Sequence, residues 1–222
     1  YEIGSGLVGS EMCIRDSRIS AVIKNTDSDY WKAAKKGMEQ AVLDLNEYLG
    51  YKGDDAITCT IEGPKDEGDV DDQVNILDMV LTENPAVVCL SAVDMSSCQA
   101  QLEAAQEDGI PVVILDSGVE SDDDLVYAYC GTDNKAAGAE AAKQLCEAIG
   151  DEGEVAVMSH IQLSQSSKDR VDGFQEEITK NHPNVRVVSV DYQLTKDDDP
   201  TAEESIEAVL ELSLIHISEP TR

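Results

Sequence analysis

Positive charge is scarce in this sequence: 16 Lys and Arg stand against 46 Asp and Glu, a formal net charge of -30. A surface that acidic repels phosphate backbones, which excludes nucleic acid as a partner of this segment. Aromatic residues are also few, with one Trp, one Phe and seven Tyr among 222 residues. No apolar run nears the about 18 residues that a membrane-spanning helix needs. The six cysteines, Cys13, Cys59, Cys89, Cys98, Cys130 and Cys146, form neither C-x-x-C nor any zinc-like spacing. They read as free thiols, with Cys59 and Cys89 serving as small hydrophobes inside apolar runs. The acidic clusters Glu120 to Asp124 and Asp197 to Asp199 match no calcium loop and read as solvated loops. There is no G-x-S-x-G, no P-loop and no H-E-x-x-H. His160 and His182 stand near no nucleophile motif; His182, before Pro183, reads as a loop residue, and His160 follows a strand. The expectation is therefore a binding protein rather than an enzyme, with no cofactor and no metal.

The two ends lack structure signals of their own. Residues 1–17 show neither strand alternation nor helical period, and they lack the basic start and apolar core of a signal peptide. The final SLIHISEPTR interrupts a helical pattern. Both stretches resemble translated sequencing adapter, so residues 1–17 and 213–222 are read as non-native segments flanking a gene fragment. Gly4, Gly6 and Gly9 spell a dinucleotide fingerprint, but that motif needs a full strand before it and an amphipathic helix after it. Neither is present, so no cofactor is assigned.

What fills the rest is a regular alternation. Strands are predicted at Ile19–Ile23, Ile57–Ile61, Ala86–Leu90, Pro111–Leu115 and Val126–Cys130. Helices are predicted at Tyr30–Tyr48, Val70–Leu81 and Ser97–Glu107. The first helix should present Trp31, Ala34, Met38, Ala41, Val42 and Leu45 on one face; the second should present Val74, Leu77, Val80 and Leu81. An alanine-rich helix, Asn134–Ile149, ends at Gly150, a fitting C-terminal cap. Strand Val155–Ser159, helix Lys168–Lys180, strand Val185–Val190 and helix Thr201–Leu212 follow. Alternating strands and helices predict parallel sheets covered on both faces. The division read from this pattern is a first lobe over 18–133 and a partial second lobe over 134–212.

In open α/β sheets, ligands bind beyond the carboxyl ends of the strands. Polar residues gather there: Lys24 to Asp27 after the first strand, Glu62 after the second, Ser91 after the third, Asp116 and Ser117 after the fourth, Thr132 to Asn134 after the fifth. Asp27 and Ser28 have two readings, helix cap or ligand contact. Asp116 is not explained by capping, because no helical pattern begins directly after it. Trp31 is either the first core residue of its helix or, with Tyr30, a stacking surface at the rim of the strand ends.

Four runs, in order, carry a family resemblance over about residues 18–212. ISAVIKNTDSDYWKAAKKGMEQA resembles the opening strand, binding loop and first helix of the ribose-type periplasmic binding proteins. DGIPVVILDSGV resembles their fourth strand with its Asp, and GTDNKAAGAEAAKQL the crossing strand and first helix of their second lobe. SSKDRVDGF resembles their R-x-x-G-F motif. The resemblance implies a type I periplasmic binding protein fold: α/β, two doubly wound parallel-sheet lobes, the second incomplete. It implies ligand contacts from Lys24, Ser28, Tyr30, Trp31, Ser91 and Asp116, a hinge position at Thr132, and second-lobe contacts from Ile161 and Arg170. Arg170 also reads as an ordinary surface residue of its helix. The implied function is capture of a small-molecule sugar, as a monomer, for delivery to an ABC transporter permease, in a periplasmic or extracellular setting with or without a lipid anchor. The loop Ser28-Asp29-Tyr30-Trp31 departs from the Asn-Pro and paired Phe of ribose binders, and Lys24 replaces a small polar residue. These departures point from ribose toward a sugar acid or a phosphorylated sugar. The effector module of lactose-type repressors shares the fold and is the alternative; the acidic charge and the Tyr-Trp loop favour the exported binder.

Overall fold

The computed structural model describes residues 18–120, 123–193 and 200–217. The readings made for residues 1–17, including Gly4, Gly6, Gly9 and Cys13, for the cluster at Asp197 to Asp199, and for 218–222 lie outside the described residues. The chain divides into two compact units, Tyr1–Gly131 and Thr132–Arg222.

The first unit contains β1 (Arg18–Val22), α1 (Asp29–Leu49), β2 (Thr58–Glu62), α2 (Val70–Thr82), β3 (Val87–Leu90), α3 (Gln99–Glu107), β4 (Val112–Leu115) and β5 (Ala128–Cys130). Its five strands are all parallel, in the order β2-β1-β3-β4-β5. Right-handed crossovers then fix where the helices go. The chain moves one way from β1 to β2 and the other way from β2 to β3 and β4. So α1 lies on one face of the sheet, and α2 and α3 lie on the other. The core sits under α2 and α3, where Leu77, Val80, Leu102 and Ala105 close on Val22, Val88, Leu90, Val112 and Ile114.

The helix faces depart from the predicted ones. On α2 the buried set is Gln73, Ile76, Leu77 and Val80, with Val74 and Leu81 only partly buried. On α1 only Trp31 is buried, while Ala41 and Leu45 are exposed. The local signals at the helix ends act as expected. Ser28 caps α1, accepting from the Trp31 N–H, and Gly50 ends it in the left-handed conformation.

The second unit contains α4 (Asn134–Ile149), β6 (Gly153–Ser159), α5 (Gln165–Asn181), β7 (Val185–Tyr192) and α6 (Ala202–Ile217). The strands β6 and β7 pair in parallel. Helix α6 runs on through Ser213 to Ile217, the start of the stretch read as appended; helical backbone continues across that boundary. Helices α4 and α5 cross in backbone contact. A Cβ placed on Gly138 would lie 2.0 Å from the Arg170 carbonyl oxygen, and one on Gly173 would lie 2.0 Å from that of Lys135. Only glycine allows so close a crossing. The small core beneath it joins Ala142, Cys146, Val155, Ile178 and Val185.

Candidate ligand-binding site

In the first unit the direction of the connections reverses between β1 and β3, and their carboxyl ends form the topological switch point. There the ladder runs out, and a buried side chain takes over. Gln73 of α2 donates through Nε2 to the carbonyls of Ile23 (3.1 Å) and Ser91 (2.9 Å), and its Oε1 accepts from the Val93 N–H at 2.7 Å. One amide thus satisfies three backbone groups that have left the sheet. Sequence reasoning missed Gln73. Its signal was a single glutamine at the i, i+3, i+4 and i+7 period shared with Ile76, Leu77 and Val80.

Around this clamp lie the polar residues expected at strand ends. Lys24 is 3% exposed and Ser91 is fully buried, with no hydrogen-bond partner for its Oγ. Burying such a group unpaired costs about 1–3 kcal/mol. The β1 loop is shaped by Asn25, whose Oδ1 accepts from the N–H groups of Asp27 (2.6 Å) and Ser28 (2.8 Å). Its Nδ2 donates to the Lys65 carbonyl at 2.9 Å. Gly63 lets the neighbouring loop approach, since a Cβ there would meet the Ile23 carbonyl oxygen at 2.4 Å. After β3, Asp94 accepts from Ser97 Oγ (2.7 Å) and from both the N–H and Oγ of Ser96 (2.8 Å each). Burial pulls its pKa upward, but the hydrogen bonds from Ser97 and Ser96 outweigh burial and hold it below the ordinary carboxylate value.

The aromatic pair separates. Trp31 is 4% exposed and belongs to the interior, whereas Tyr30 is 60% exposed. Their rings meet edge to face at 5.0 Å. Tyr30 Oη donates to Asp116 Oδ1 at 3.1 Å, joining the first turn of α1 to the end of β4 across 86 residues of chain. Asp116 stands at φ 60°, the left-handed region uncommon for a residue with a side chain. Its N–H donates to the Cys130 carbonyl (2.9 Å), and its own carbonyl accepts from Tyr129 Oη (2.8 Å). Strain held in place by surrounding contacts is a mark of functional positions.

In the second unit, Ile161 is buried after β6, and its carbonyl accepts from the Ser164 N–H in the turn that starts α5. Arg170 Nε donates to Asn134 Oδ1 at 2.8 Å. Asn134 is buried at the start of α4, and the glycine crossing brings the two together. Arg170 as a residue is exposed, so one edge of its guanidinium is anchored on an otherwise open side chain. Thr132 and His160 are exposed. In the sequence Asn134 stood only among the polar residues after the fifth strand, and the glycine pair was not singled out. His182, expected in a loop, ends α5 with its side chain only 15% exposed.

Each unit thus presents donors and acceptors suited to hydroxyl groups. In the first, a fixed carboxylate, a buried lysine, an orphan hydroxyl and an exposed phenol ring surround one set of strand ends. In the second, an anchored guanidinium offers forked donors. Residues 19–216 match the family model of the periplasmic binding protein domain. The chain belongs to that family. A periplasmic binding protein of this kind has the α/β fold with parallel sheets seen here, and members of the family are binding proteins. The D-allose-binding periplasmic protein of Escherichia coli is 24% identical over 181 residues, covering 79% of this chain and 55% of its own. The structure of a carbohydrate transporter solute-binding protein from Agrobacterium radiobacter, in complex with D-arabinose, superposes with a TM-score of 0.74 at 25% identity, covering 89% of this chain and 63% of its own. An ABC transporter solute-binding protein from Agrobacterium vitis with bound D-fucose gives 0.70 at 32% identity, covering 80% and 58%. The chain therefore spans between about half and two thirds of the length of these relatives. Among the described residues no helix is long and apolar enough to cross a membrane.

Proposed function

We propose that this periplasmic binding protein captures a sugar or sugar acid outside the cytoplasm and passes it to an ABC transporter permease, acting as a monomeric receptor without catalytic activity. The observation that carries the reading is Asp116. Its carboxylate is held by the Tyr30 hydroxyl on a strained backbone at a strand end. An ionised carboxylate in that position accepts from two adjacent sugar hydroxyls, which is the chemistry of polyol recognition. Lys24, Ser28, Tyr30 and Ser91 supply the remaining first-unit contacts in this reading, and Arg170, Ile161 and Thr132 those of the second. Trp31, buried, supports Tyr30 from behind rather than meeting ligand with its face. The relatives, whose ligands include D-arabinose and D-fucose, support the ligand class. A lipid anchor on such a protein would keep it beside its transporter and alters nothing in the site. The buried Lys24 favours an anionic sugar.

Ligand-observed saturation-transfer NMR tests this down to millimolar affinity. D-arabinose, D-fucose, D-allose and galacturonate are the probes. Transfer to at least one sugar is expected, with a strong loss for Asp116→Asn and competition by galacturonate over neutral pentoses. Equal transfer in the Asp116→Asn chain would remove Asp116 from the site, and transfer to no sugar would end the reading. Preference for neutral pentoses would count against the role given to Lys24.

A further inference from the structure

The second unit carries a group of ligating side chains at the end of its sheet opposite the strand carboxyl ends. Cys146 lies in the last turn of α4 and is fully buried. Gly150 ends that helix in the left-handed conformation, and Asp151, itself at φ 60°, turns back so that its N–H donates to the Cys146 carbonyl at 2.8 Å. His182 ends α5, fixed by its own N–H on the Ile178 carbonyl (3.0 Å) and by the Val185 N–H on its carbonyl (3.0 Å). The Cys146 sulfur, an Asp151 carboxylate oxygen and a His182 ring nitrogen all lie within 4.8 Å of one another. Nδ1 of His182 is 2.5 Å from Asp151 Oδ1. On the far side of the ring, Nε2 is buried without a hydrogen-bond partner, 3.7 Å from Glu177 Oε1.

We propose that Cys146, Asp151 and His182 form a binding site for a divalent cation of the zinc class, with Glu177 as the outer partner of the histidine. Zinc takes sulfur at about 2.3 Å, and nitrogen and carboxylate oxygen at about 2.0–2.2 Å. A tetrahedral ion then needs its ligand atoms about 3.3–3.8 Å apart. The widest separation must close by about 1 Å and the Nδ1–Oδ1 pair must open by less than that, within reach of side-chain rotation about χ1 and χ2. Soft thiolate, imidazole and carboxylate together suit zinc better than calcium or magnesium, which take oxygen ligands. Three protein ligands leave a fourth position for water.

Without an ion, the 2.5 Å contact places a proton between Nδ1 and the Asp151 carboxylate. With an ion on Nδ1, the ring's remaining proton sits on Nε2, facing Glu177. Carboxylate–histidine–metal chains of this form orient the ring and raise its basicity. Binding releases the Cys146 thiol proton to solvent, and the proton held between Nδ1 and the Asp151 carboxylate moves to Nε2 or to solvent. Burial, followed by the Asp151 and Glu177 carboxylates, pushes the free thiol above its ordinary pKa, so the metal-free chain holds the proton that the ion must displace. The ion would tie the end of α4 to the end of α5 across 36 residues (182 minus 146), a staple for a unit whose sheet has two strands. The residues are too far apart in the chain to be read as a spacing motif.

Cobalt(II) titration of tag-free, reduced protein tests the site. A thiolate-to-cobalt charge-transfer band in the near ultraviolet, with tetrahedral visible bands, is expected at one ion per chain. Equilibrium dialysis with zinc should give the same stoichiometry. Cys146→Ser should abolish the charge-transfer band, while the double variant Cys59→Ser, Cys130→Ser should keep it. Glu177→Gln should weaken binding about 10–100-fold and leave the band in place. Far-ultraviolet circular dichroism identifies any variant that has lost its fold, and Asp151→Asn, an exposed change, provides a second ligand variant with an expected loss of affinity. No band in the parent chain, or a band that survives Cys146→Ser, would overturn the proposal and leave His182 and Asp151 as a plain ion pair.

Discussion

The two faces of the first unit's sheet are built from the same strands and the same kinds of residue, yet they end in different states. Toward α2 and α3, Val22, Val88 and Leu90 have no exposed surface, and Val112 and Ile114 almost none. Of the alternate residues, which point the other way, Ala21 is buried, but Ile19, Cys59, Ile61, Val87, Cys89, Val113 and Leu115 are only half-buried. Two helices close the first face, whereas α1 serves the second and buries only Trp31. Leu43, Tyr48 and Leu49 along α1 remain exposed. Apolar character sets what a face can do, and the atoms that come to lie against it set what it contributes, because burial energy scales with surface removed from water.

The sharpest way to break this comparison is to truncate one residue on each face. Leu90→Ala empties a fully enclosed position and should cost about 2–5 kcal/mol in urea unfolding. Val87→Ala, one position before the enclosed Val88 and on the open face, should cost less than about 1 kcal/mol, since water already reaches it. Equal losses would mean that the two faces are equally closed in solution. The same contrast holds for glycine. Gly173→Ala would drive a Cβ to 2.0 Å from the Lys135 carbonyl oxygen, and overpacking of this kind should cost about 1–3 kcal/mol in thermal unfolding. Gly37→Ala, on the open side of α1 with nothing within 4 Å, should instead stabilise by about 0.5–1 kcal/mol through helix propensity. A neutral Gly173→Ala would show that α4 and α5 do not touch there.

A further contrast concerns pH. Asp94 has a folded pKa below its ordinary value, so its contribution is fully present above the ordinary carboxylate range. That contribution is lost as pH falls through the lower, folded value. Asp94→Asn keeps one acceptor oxygen and loses the charge. It should lower stability by about 1 kcal/mol at pH 7 and by less once the pH falls below the folded value, read from paired urea melts. A pH-independent difference would assign the residue's role to shape alone.

Much of the architecture was readable residue by residue. Helix α4 was bounded at Asn134 and Ile149, because the Asp133 side chain capping the Ala136 N–H and the left-handed Gly150 are local devices. Asp116 stood out because no helix follows it to claim its carboxylate, and the structure gives that carboxylate the Tyr30 hydroxyl instead. Trp31 had two open readings, and its burial was decided by α1 lying against the sheet. Gln73 passed unnoticed, since an amide on an apolar stripe reads as noise until three stranded backbone groups are found around it. The R-x-x-G-F run carried a hidden second meaning: its Gly173 lets α4 and α5 touch, which brings Arg170 to Asn134.

Periodicity, caps and turn glycines act within a few residues, so the order of strands and helices, the parallel sheets and the polar strand ends were present in the amino-acid order alone. Which face of the sheet closed, which amide held the switch point together, and which cysteine met a histidine 36 positions later (146 to 182) followed from packing. Those are relations between distant segments, and the free energy that selects them is gained only when the whole surface is brought together.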